Sequence, residues 1–201
     1  MAVLALLALL LGAFCGHFWQ ENAIVDAFLA SDGLFLNLLM ISVGIGIGQQ
    51  SGIWQKIRQY HVKALVIPLG VILGSLAGGL AACWITGYPL AEGTAIASCM
   101  GWYSLGGVTI GALSGEAYGS VAFLSNLLRE LLSFFSIPLL IKFLNPAACI
   151  AAAGATSEDT TLPMMMKYTD EESVVLSVLN GAICSAFVPV LINACYSIWG
   201  A

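Results

Sequence analysis

Long stretches without a charged side chain divide this chain into segments of similar length. They cover residues 1–20, 33–55, 64–91, 93–115 and 173–201. Each is long enough to cross a bilayer as a helix, which takes about 20 predominantly apolar residues. Two more apolar stretches, near 119–144 and 147–168, carry charges at mid-length.

The pattern predicts an all-α, polytopic integral membrane protein that forms one transmembrane domain over residues 1–201. We expect about seven transmembrane helices of this length, and one or two of them are predicted to be discontinuous. The predicted spans are about 2–19, 33–50, 64–86, 93–112, 119–144, 147–168 and 173–199.

Composition supports the membrane assignment and excludes several classes of protein. Charged residues make up 8% of the chain and hydrophobic residues 60%, with a mean hydropathy of +0.96. A soluble domain carries about 25% charged residues, so a soluble enzyme and a disordered chain are both excluded. The net charge of −5 has the wrong sign for neutralising phosphates, which excludes nucleic acid as a partner. The lipid bilayer is the expected surrounding.

The basic residues predict the orientation, because Lys and Arg concentrate in cytoplasmic loops. The segment after the second span contains Lys56, Arg58 and Lys63. Placing it in the cytoplasm makes the 20–32 loop external. Alternation over seven spans then puts Lys167 inside and the C-terminus outside. Lys142 disagrees with this count, and we attribute the disagreement to a side chain that snorkels from a span end.

Small residues and cysteines are expected to serve packing. Glycines recur every fourth residue, as in the run Gly107, Gly111, Gly115 and Gly119. Such ridges let helices approach closely in lipid, either within one chain or at a dimer face. The six cysteines form no Cys-x-x-Cys pair, and the chain has only two histidines. We therefore predict no metal site, no cofactor and no enzymatic activity.

The most informative motif runs from Gly154 to Pro163 and places two carboxylates among hydroxyl side chains at mid-span. Charges at the bilayer centre cost roughly 2.5–3.5 kcal/mol each on insertion scales, and they usually mark functional sites. We predict a helix broken near 156–160, because Ser, Thr and Asp compete for backbone hydrogen bonds and Pro removes one donor. The alternatives are a loop that dips into the membrane and a segment 155–160 at the surface. The predicted binding residues are Thr156, Ser157, Glu158, Asp159 and Thr160.

A second motif is a polar stripe on the fifth span. Asn126, Arg129, Glu130 and Ser133 follow helical spacing, so they share one side of an otherwise apolar helix. We expect Arg129 to pair with Asp159 across two helices. This arrangement permits two interpretations, a structural ion pair and a direct role in ion coupling or substrate binding.

A third motif lies in the fourth span, where Trp102, Tyr103 and Ser104 stand between glycines. It indicates either a kinked helix with aromatic packing or a second broken helix. In the second case, free amides at Gly106 and Gly107 would face a carboxylate, and an aromatic ring would cover an ammonium group. Asn180 in the last span is a further candidate for the same cavity.

Together these motifs resemble the lysine exporter family of bacterial inner membranes. The residues that carry the resemblance are Gly101-Trp-Tyr-Ser104, Arg129-Glu-Leu-Leu132 leading to Ile137-Pro-Leu-Leu140, and Gly154-Ala-Thr-Ser-Glu-Asp-Thr-Thr-Leu-Pro163. The resemblance implies a core related to cation/proton antiporters, with broken crossing helices and an inverted repeat. It also implies export of L-lysine and related cationic amino acids by exchange for protons or sodium, with Asp159 as the exchanging carboxylate.

The sequence departs from the family pattern in two respects. Glu158 stands where an apolar residue is usual, which adds a carboxylate beside Asp159. Members of the family are also longer at the amino end. The resemblance therefore suggests the carboxy-terminal part of a split transporter, with a small three-span membrane protein as its partner and a ten-span, five-plus-five repeat. The alternative to such a partner is a homodimer. The alternatives to active export are a passive channel and a purely structural subunit.

Overall fold

A computed structural model describes the backbone from Ile53 to Gly200 and the side chains from Ala64 onward. A few helical residues between 7 and 18 and between 38 and 45 are also described, so the predicted spans 2–19 and 33–50 and the 20–32 loop lie largely outside the described residues. Residues 47–201 form one compact unit. Within the described range the regular elements are all helical: α1 Ile53–Thr86, α2 Leu90–Ser98, α3 Tyr103–Ser114, α4 Glu116–Phe143, α5 Pro146–Ala153, a 3-10 helix Gly154–Glu158, α6 Leu162–Tyr168 and α7 Glu171–Trp199.

Three of these helices are long and apolar enough to cross a membrane. They are Ala64–Thr86 within α1, Glu116–Phe143 and Glu171–Trp199. Their bounds match the predicted spans 64–86, 119–144 and 173–199 within a few residues. Each of these helices has more than 20 residues with few charges, which is what a bilayer of about 30 Å requires.

The predicted span 93–112 is a hairpin made of α2 and α3. The helices are interrupted between Cys99 and Trp102, where Met100 and Gly101 have positive φ angles of 51° and 99°. At the open end of the hairpin, the Ser114 hydroxyl donates to the Glu92 carboxylate at 3.1 Å. A continuous helix would separate those two residues by about 33 Å at 1.5 Å per residue, so the chain enters and returns on one side.

The predicted span 147–168 is a second hairpin, made of α5, the 3-10 helix and α6. Asn145 caps α5 by accepting from the Ala148 amide at 2.9 Å. The helix then breaks at Gly154, whose φ is +64°. Cys149 before the break and Met165 after it lie in the same core cluster, so this segment also returns to the end it came from.

The two hairpins enter from opposite ends of the bundle. The core cluster at the open end of the second hairpin contains Ala64 near the start of the first span and Ile137 near the end of α4. The first hairpin opens at the other end, where the hydroxyl oxygens of Ser114 and of Tyr196, near the end of α7, lie 2.9 Å apart. The prediction that 93–112 and 147–168 each cross the membrane is therefore wrong, because both contain a break that reverses the chain. For the second segment, the alternative of a loop that dips into the membrane describes the structure.

This topology removes the disagreement over Lys142. Helix α4 runs toward the end of the bundle where α1 begins and α6 ends, so Lys142 lies at the same end as Lys167. The early turns of α1, which contain residues 56, 58 and 63, precede the span at that end as well. No snorkelling from the opposite side is needed, and the basic residues outside the spans agree with one orientation.

Two successive segments of the described part have the same order of helices. Residues 90–143 and 146–199 have equal length and the same order, a hairpin followed by a long helix. The two copies run in opposite directions because their hairpins open at opposite ends. The predicted five-plus-five repeat and its likeness to antiporters extend beyond these residues and stay predictions.

The glycine ridge packs α3 against α4. A Cβ added to Gly119 would lie 2.7 Å from the Gly107 carbonyl oxygen and 2.7 Å from the Gly111 Cα. No side chain larger than hydrogen fits there, which confirms the packing interpretation within one chain for this ridge. Close backbone approach of this kind stabilises helices in lipid through van der Waals contact.

Candidate site at the hairpin tips

The tips of the two hairpins touch in the interior of the bundle. The Ala155 amide donates to the Met100 carbonyl at 2.9 Å. The two residues in contact are buried, with Met100 at 0% exposure and Ala155 at 4%. A Cβ added to Gly154 would lie 2.5 Å from the Met100 carbonyl oxygen, so the contact needs glycine at this position. Non-helical backbone inside a membrane is tolerated where protein buries it or where it lines a cavity.

Asn126 on α4 holds the tip of the first hairpin. Its Oδ1 accepts from the Gly101 amide at 2.9 Å, and its Nδ2 donates to the Ile96 carbonyl at 3.0 Å. A third hydrogen bond joins Nδ2 to the Ala122 carbonyl on its own helix. Every usual donor and acceptor function of this amide is therefore directed at the backbone. The structure places Asn126 as a support of the site.

Asn180 on α7 does the same for the second hairpin. Its Nδ2 donates to the Gly154 carbonyl at 2.9 Å and to the Ser157 hydroxyl at 2.9 Å. Ser157 and Ser177 add a reciprocal pair, in which each hydroxyl donates to the other residue's carbonyl at 2.8 Å. The Thr156 hydroxyl donates to the Ala153 carbonyl and is also committed to the backbone.

The carboxylates of the second hairpin have different surroundings. Glu158 is half-buried against Gly181, and its Oε1 accepts from the Ser185 hydroxyl at 2.9 Å. Asp159 is exposed, and its Oδ1 accepts from both the amide and the hydroxyl of Thr160. Of the two, Asp159 is the carboxylate more accessible to an ion.

Glu130 on α4 is a third carboxylate at the same place. It is 5% exposed, and its Oε2 has no hydrogen-bond partner. Asp159 acts on this carboxyl group electrostatically, and the Thr160 side chain lies within hydrogen-bonding reach of it. A buried carboxylate oxygen without a donor is costly, and a cation or a proton would satisfy it.

Arg129 does not pair with Asp159. Its Nη1 donates to the Ser75 hydroxyl on α1 at 3.0 Å, and its Nη2 lies 3.2 Å from the position of a Cβ added to Gly154. No ion pair joins Arg129 to a carboxylate in the part of the chain that the structure describes. The predicted pair is wrong because Arg129 approaches the start of the 3-10 helix, whereas Asp159 lies beyond its end.

The aromatic motif lies in and just after the first tip. Tyr103 is buried and packs edge-to-face on Phe123, with ring centroids 5.2 Å apart. Trp102 and Ser104 are half-buried beside it. The prediction of a free amide at Gly106 is wrong, since this amide donates to the Trp102 carbonyl at 3.0 Å inside the first turn of α3. The prediction of a second interruption in this segment is confirmed.

Several residues of the site were missed by sequence reasoning. Ser177 and Ser185 lie on the side of α7 that faces the second hairpin, together with Asn180. These three residues are three and five positions apart, which is typical of one side of a helix. That spacing indicated all three, but the sequence analysis selected only Asn180. Ser75 had no signal, because a single serine in an apolar span is common. Among the described residues, no group of three His, Cys, Asp or Glu side chains is placed to hold a metal ion.

Comparison with known proteins identifies the family. A family model described as "Lysine exporter LysO" matches residues 6–196. The chain belongs to the lysine exporter family. The resemblance found from the three motifs is thereby confirmed, and the chain is a membrane protein of a transporter family.

Two relatives have curated names. The lysine exporter LysO of Escherichia coli (strain K12) is 35% identical over 157 residues, which cover 78% of this chain and 52% of that protein. A putative lysine exporter of Haemophilus influenzae is 33% identical over 154 residues, which cover 77% of this chain and 78% of that protein. The chain thus spans about half the length of the Escherichia coli relative. No solved structure matches it.

Proposed function

We propose that this chain forms the transport core of a secondary active exporter for lysine and related cationic amino acids. Its substrate leaves the cell in exchange for protons or sodium ions that move inward. The observation that carries the proposal is the buried Glu130 carboxylate, with one unsatisfied oxygen, beside Asp159 at two touching hairpin tips. One relative is named a lysine exporter and the other a putative lysine exporter, which supports lysine as the substrate.

The chemistry of the site suits a cation. Asp159 is accessible and Glu130 is enclosed, so the two carboxylates offer a route from an exposed position to a buried one. An ammonium group or a proton can neutralise either carboxylate. The two ligands compete for the negative charge of one carboxylate, so they do not bind to it at the same time. Alternate binding of proton and substrate to one carboxylate is the simplest coupling, and we assign it to Asp159.

Coupling is expected on energetic grounds. Moving one positive charge out of a negative-inside cell costs about 2.3 kcal/mol per 100 mV. Lysine carries a net positive charge at neutral pH, so export needs a second ion that moves down its own gradient. Four other predicted site residues, Thr156, Ser157, Asn126 and Asn180, have supporting roles in this proposal, because they hold the tips.

We place the protein in the bacterial inner membrane with the end that contains Lys142 and Lys167 in the cytoplasm. Helix α7 runs away from that end, so this proposal puts the C-terminus outside, on the side that the sequence analysis expects. The first hairpin then opens to the outside and the second to the cytoplasm. A small membrane partner or a homodimer stays a prediction on which the described contacts do not bear.

The test is exchange of radiolabelled lysine for protons by purified protein in liposomes. We expect Asp159→Asn and Glu130→Gln each to reduce exchange by at least about tenfold, as loss of a group that acts in the rate-limiting event does. Glu171→Gln is the matched control, because it neutralises an exposed carboxylate at the start of α7. Full exchange by Asp159→Asn would refute the assignment.

The same assay separates the alternatives. A passive channel would give lysine flux that ignores an imposed pH or sodium gradient and survives neutralisation of Asp159. A structural subunit would give no flux by itself and normal flux in the assembled complex, even with Asp159→Asn. Dependence on the gradient, lost in both carboxylate variants and kept in Glu171→Gln, supports the exporter.

A further inference from the structure

Arg129 lines a cavity that the carboxylates do not share. The cavity has a volume of about 500 Å³. Its polar lining consists of the Arg129 side chain and three serines of the same helix, Ser125, Ser133 and Ser136. Leu128 and Leu132 border it on the same helix, so its walls are largely apolar. A concave site with a few converging polar groups in apolar walls is the usual form of a small-molecule site.

The charge of Arg129 lacks an anionic counterpart within the described residues. Its hydrogen bond goes to the neutral Ser75 hydroxyl. A guanidinium group stays protonated in proteins, so this residue cannot relieve the cost of an intramembrane charge by losing a proton. The guanidinium has five N–H donors, and one bond to Ser75 leaves donors for an anion.

Arg129 and Glu130 are neighbours in sequence, so their side chains point about 100° apart around α4. The positive and the negative charge therefore lie on different sides of the same turn. Glu130 and Asp159 make the negative side. Arg129 makes the positive side. The serines that line the cavity donate their hydroxyls to backbone carbonyls of α4, so Arg129 is the donor left for an anion. An amino acid has this distribution of charge, with a carboxylate a few bonds away from an ammonium group.

We propose that Arg129, in this cavity, binds the carboxylate of the transported amino acid. The inference rests on the proposed export of a cationic amino acid and adds the feature of the substrate that the carboxylate cluster cannot recognise. Planar guanidinium and carboxylate groups form paired, charge-assisted hydrogen bonds. The close approach of Arg129 Nη2 to Gly154 connects this subsite to the second hairpin. A substrate bound there is therefore in a position to affect the tip.

The competing structural explanation is that Arg129 only offsets the negative C-terminal end of α5 near Gly154. The two explanations differ in substrate specificity. A subsite for the carboxylate distinguishes lysine from 1,5-diaminopentane, which has the same two amino groups on the same carbon chain without the carboxylate. A purely structural arginine affects both ligands equally.

The experiment is calorimetric titration of the purified full chain in detergent with lysine and with 1,5-diaminopentane. We expect the unmodified protein to bind lysine at least about tenfold more tightly, because a paired charge-assisted contact is among the strong ones. Arg129→Gln should remove this preference and leave the affinity for 1,5-diaminopentane within about twofold. Lys142→Gln is the matched control, since it removes an exposed positive charge outside the cavity.

The outcomes separate failure of this inference from failure of the proposed function. Equal preference for lysine in Arg129→Gln and the unmodified protein overturns the carboxylate subsite. Equal binding of both ligands by the unmodified protein overturns it as well, while the cation site stands. Binding of neither ligand refutes the proposed substrate itself. If Arg129→Gln does not purify as a folded protein, Arg129→Lys decides, because it keeps the charge and loses the planar pair of donors. An unchanged preference in that variant overturns the inference, and a preference reduced severalfold supports it.

Discussion

The two hairpins share one architecture and differ in their chemistry. Each enters about halfway from its own end, breaks at a residue with positive φ and is held by an asparagine of the following long helix. The first tip, 99–102, contains Cys, Met, Gly and Trp and has no charge. The second tip, 154–161, contains two carboxylates and four hydroxyl side chains. The comparison indicates that the backbone arrangement is a scaffold, on which only the second copy carries ionisable groups.

The difference also explains how each tip is stabilised. At the first tip, Asn126 is the side chain that satisfies the Gly101 amide. The second tip is tied to α7 by the hydrogen bonds of Ser157, Ser177 and Asn180 and by the bond from Ser185 to Glu158. A site that must accept ions needs polar groups in fixed positions, and buried networks of this kind are rigid when every member is satisfied.

The largest expected effect on stability comes from placing a side chain in the contact between the tips. Gly154→Ala combines a positive φ of 64° with a Cβ placed 2.5 Å from the Met100 carbonyl oxygen. The backbone strain costs about 1–2 kcal/mol and the overlap about another 1–3 kcal/mol. Since 1 kcal/mol corresponds to roughly 2–4 °C in a chain of this size, the midpoint of thermal unfolding should fall by about 5–15 °C.

Gly101→Ala is the matched variant on the other tip. Its φ is +99°, but the nearest atom to an added Cβ is Thr156 Cγ2 at 3.3 Å, the end of a side chain. Only the strain and a small shift of Thr156 are expected, so the midpoint should fall by about a third to a half as much. A larger effect of Gly101→Ala than of Gly154→Ala would contradict the described contact of the tips.

The asparagines provide a test of intermediate size. Asn126→Ala leaves the buried Gly101 amide without its acceptor, and Asn180→Ala leaves the Gly154 carbonyl without its side-chain donor. Each loss costs about 1–3 kcal/mol, with the unpaired amide at the upper end because a carbonyl tolerates it better. Thermal unfolding should therefore be affected more by Asn126→Ala. Lysine exchange in the folded protein should be affected more by Asn180→Ala, since that tip carries the carboxylates.

The control for both is Asn193→Ala. Asn193 is exposed, and its Nδ2 donates to the Pro189 carbonyl on the same helix at 2.8 Å. Its loss should leave both unfolding and exchange close to those of the unmodified protein. Equal loss of exchange in all three alanine variants would show that the asparagines of the tips have no particular role.

The smallest expected effect concerns the helix starts at the end of the bundle that contains Lys142 and Lys167. Asp170 caps α7 by accepting from the Ser173 amide at 2.8 Å, and Asn145 caps α5 in the same way. Hydrogen bonding to Ser173 lowers the pKa of Asp170 below its usual value. A lowered carboxyl pKa means that the stabilisation is present above about pH 4, the unfolded value. It is lost as the pH falls through the lower folded value.

Thermal unfolding between pH 2.5 and pH 7 checks this. Asp170→Ala should lower the midpoint slightly at neutral pH, and the difference from the unmodified protein should shrink in acid. Asn145 does not ionise, so the effect of Asn145→Ala should be independent of pH over the same range. A difference for Asp170→Ala that stays constant down to pH 2.5 would contradict a role for the ionised cap.

The residues that could be found from sequence are those whose chemistry conflicts with lipid. Asp159, Glu158, Glu130 and Arg129 stood out because charge at mid-span is costly. The pairing of Arg129 with Asp159 could not be found in this way. It depends on which residues of the second hairpin face α4, and a reversal of the chain at Gly154 changes that completely.

The sequence by itself determined that the protein is helical, that it lies in a membrane and which family it belongs to. Length, hydropathy and the order of a few motifs suffice for this, because a bilayer restricts both composition and secondary structure. Only the tertiary structure decided that two of the predicted spans are hairpins. A span and a hairpin bury similar numbers of apolar residues, so hydropathy does not distinguish them. What distinguishes them is contact between distant residues, such as Glu92 with Ser114 and Met100 with Ala155.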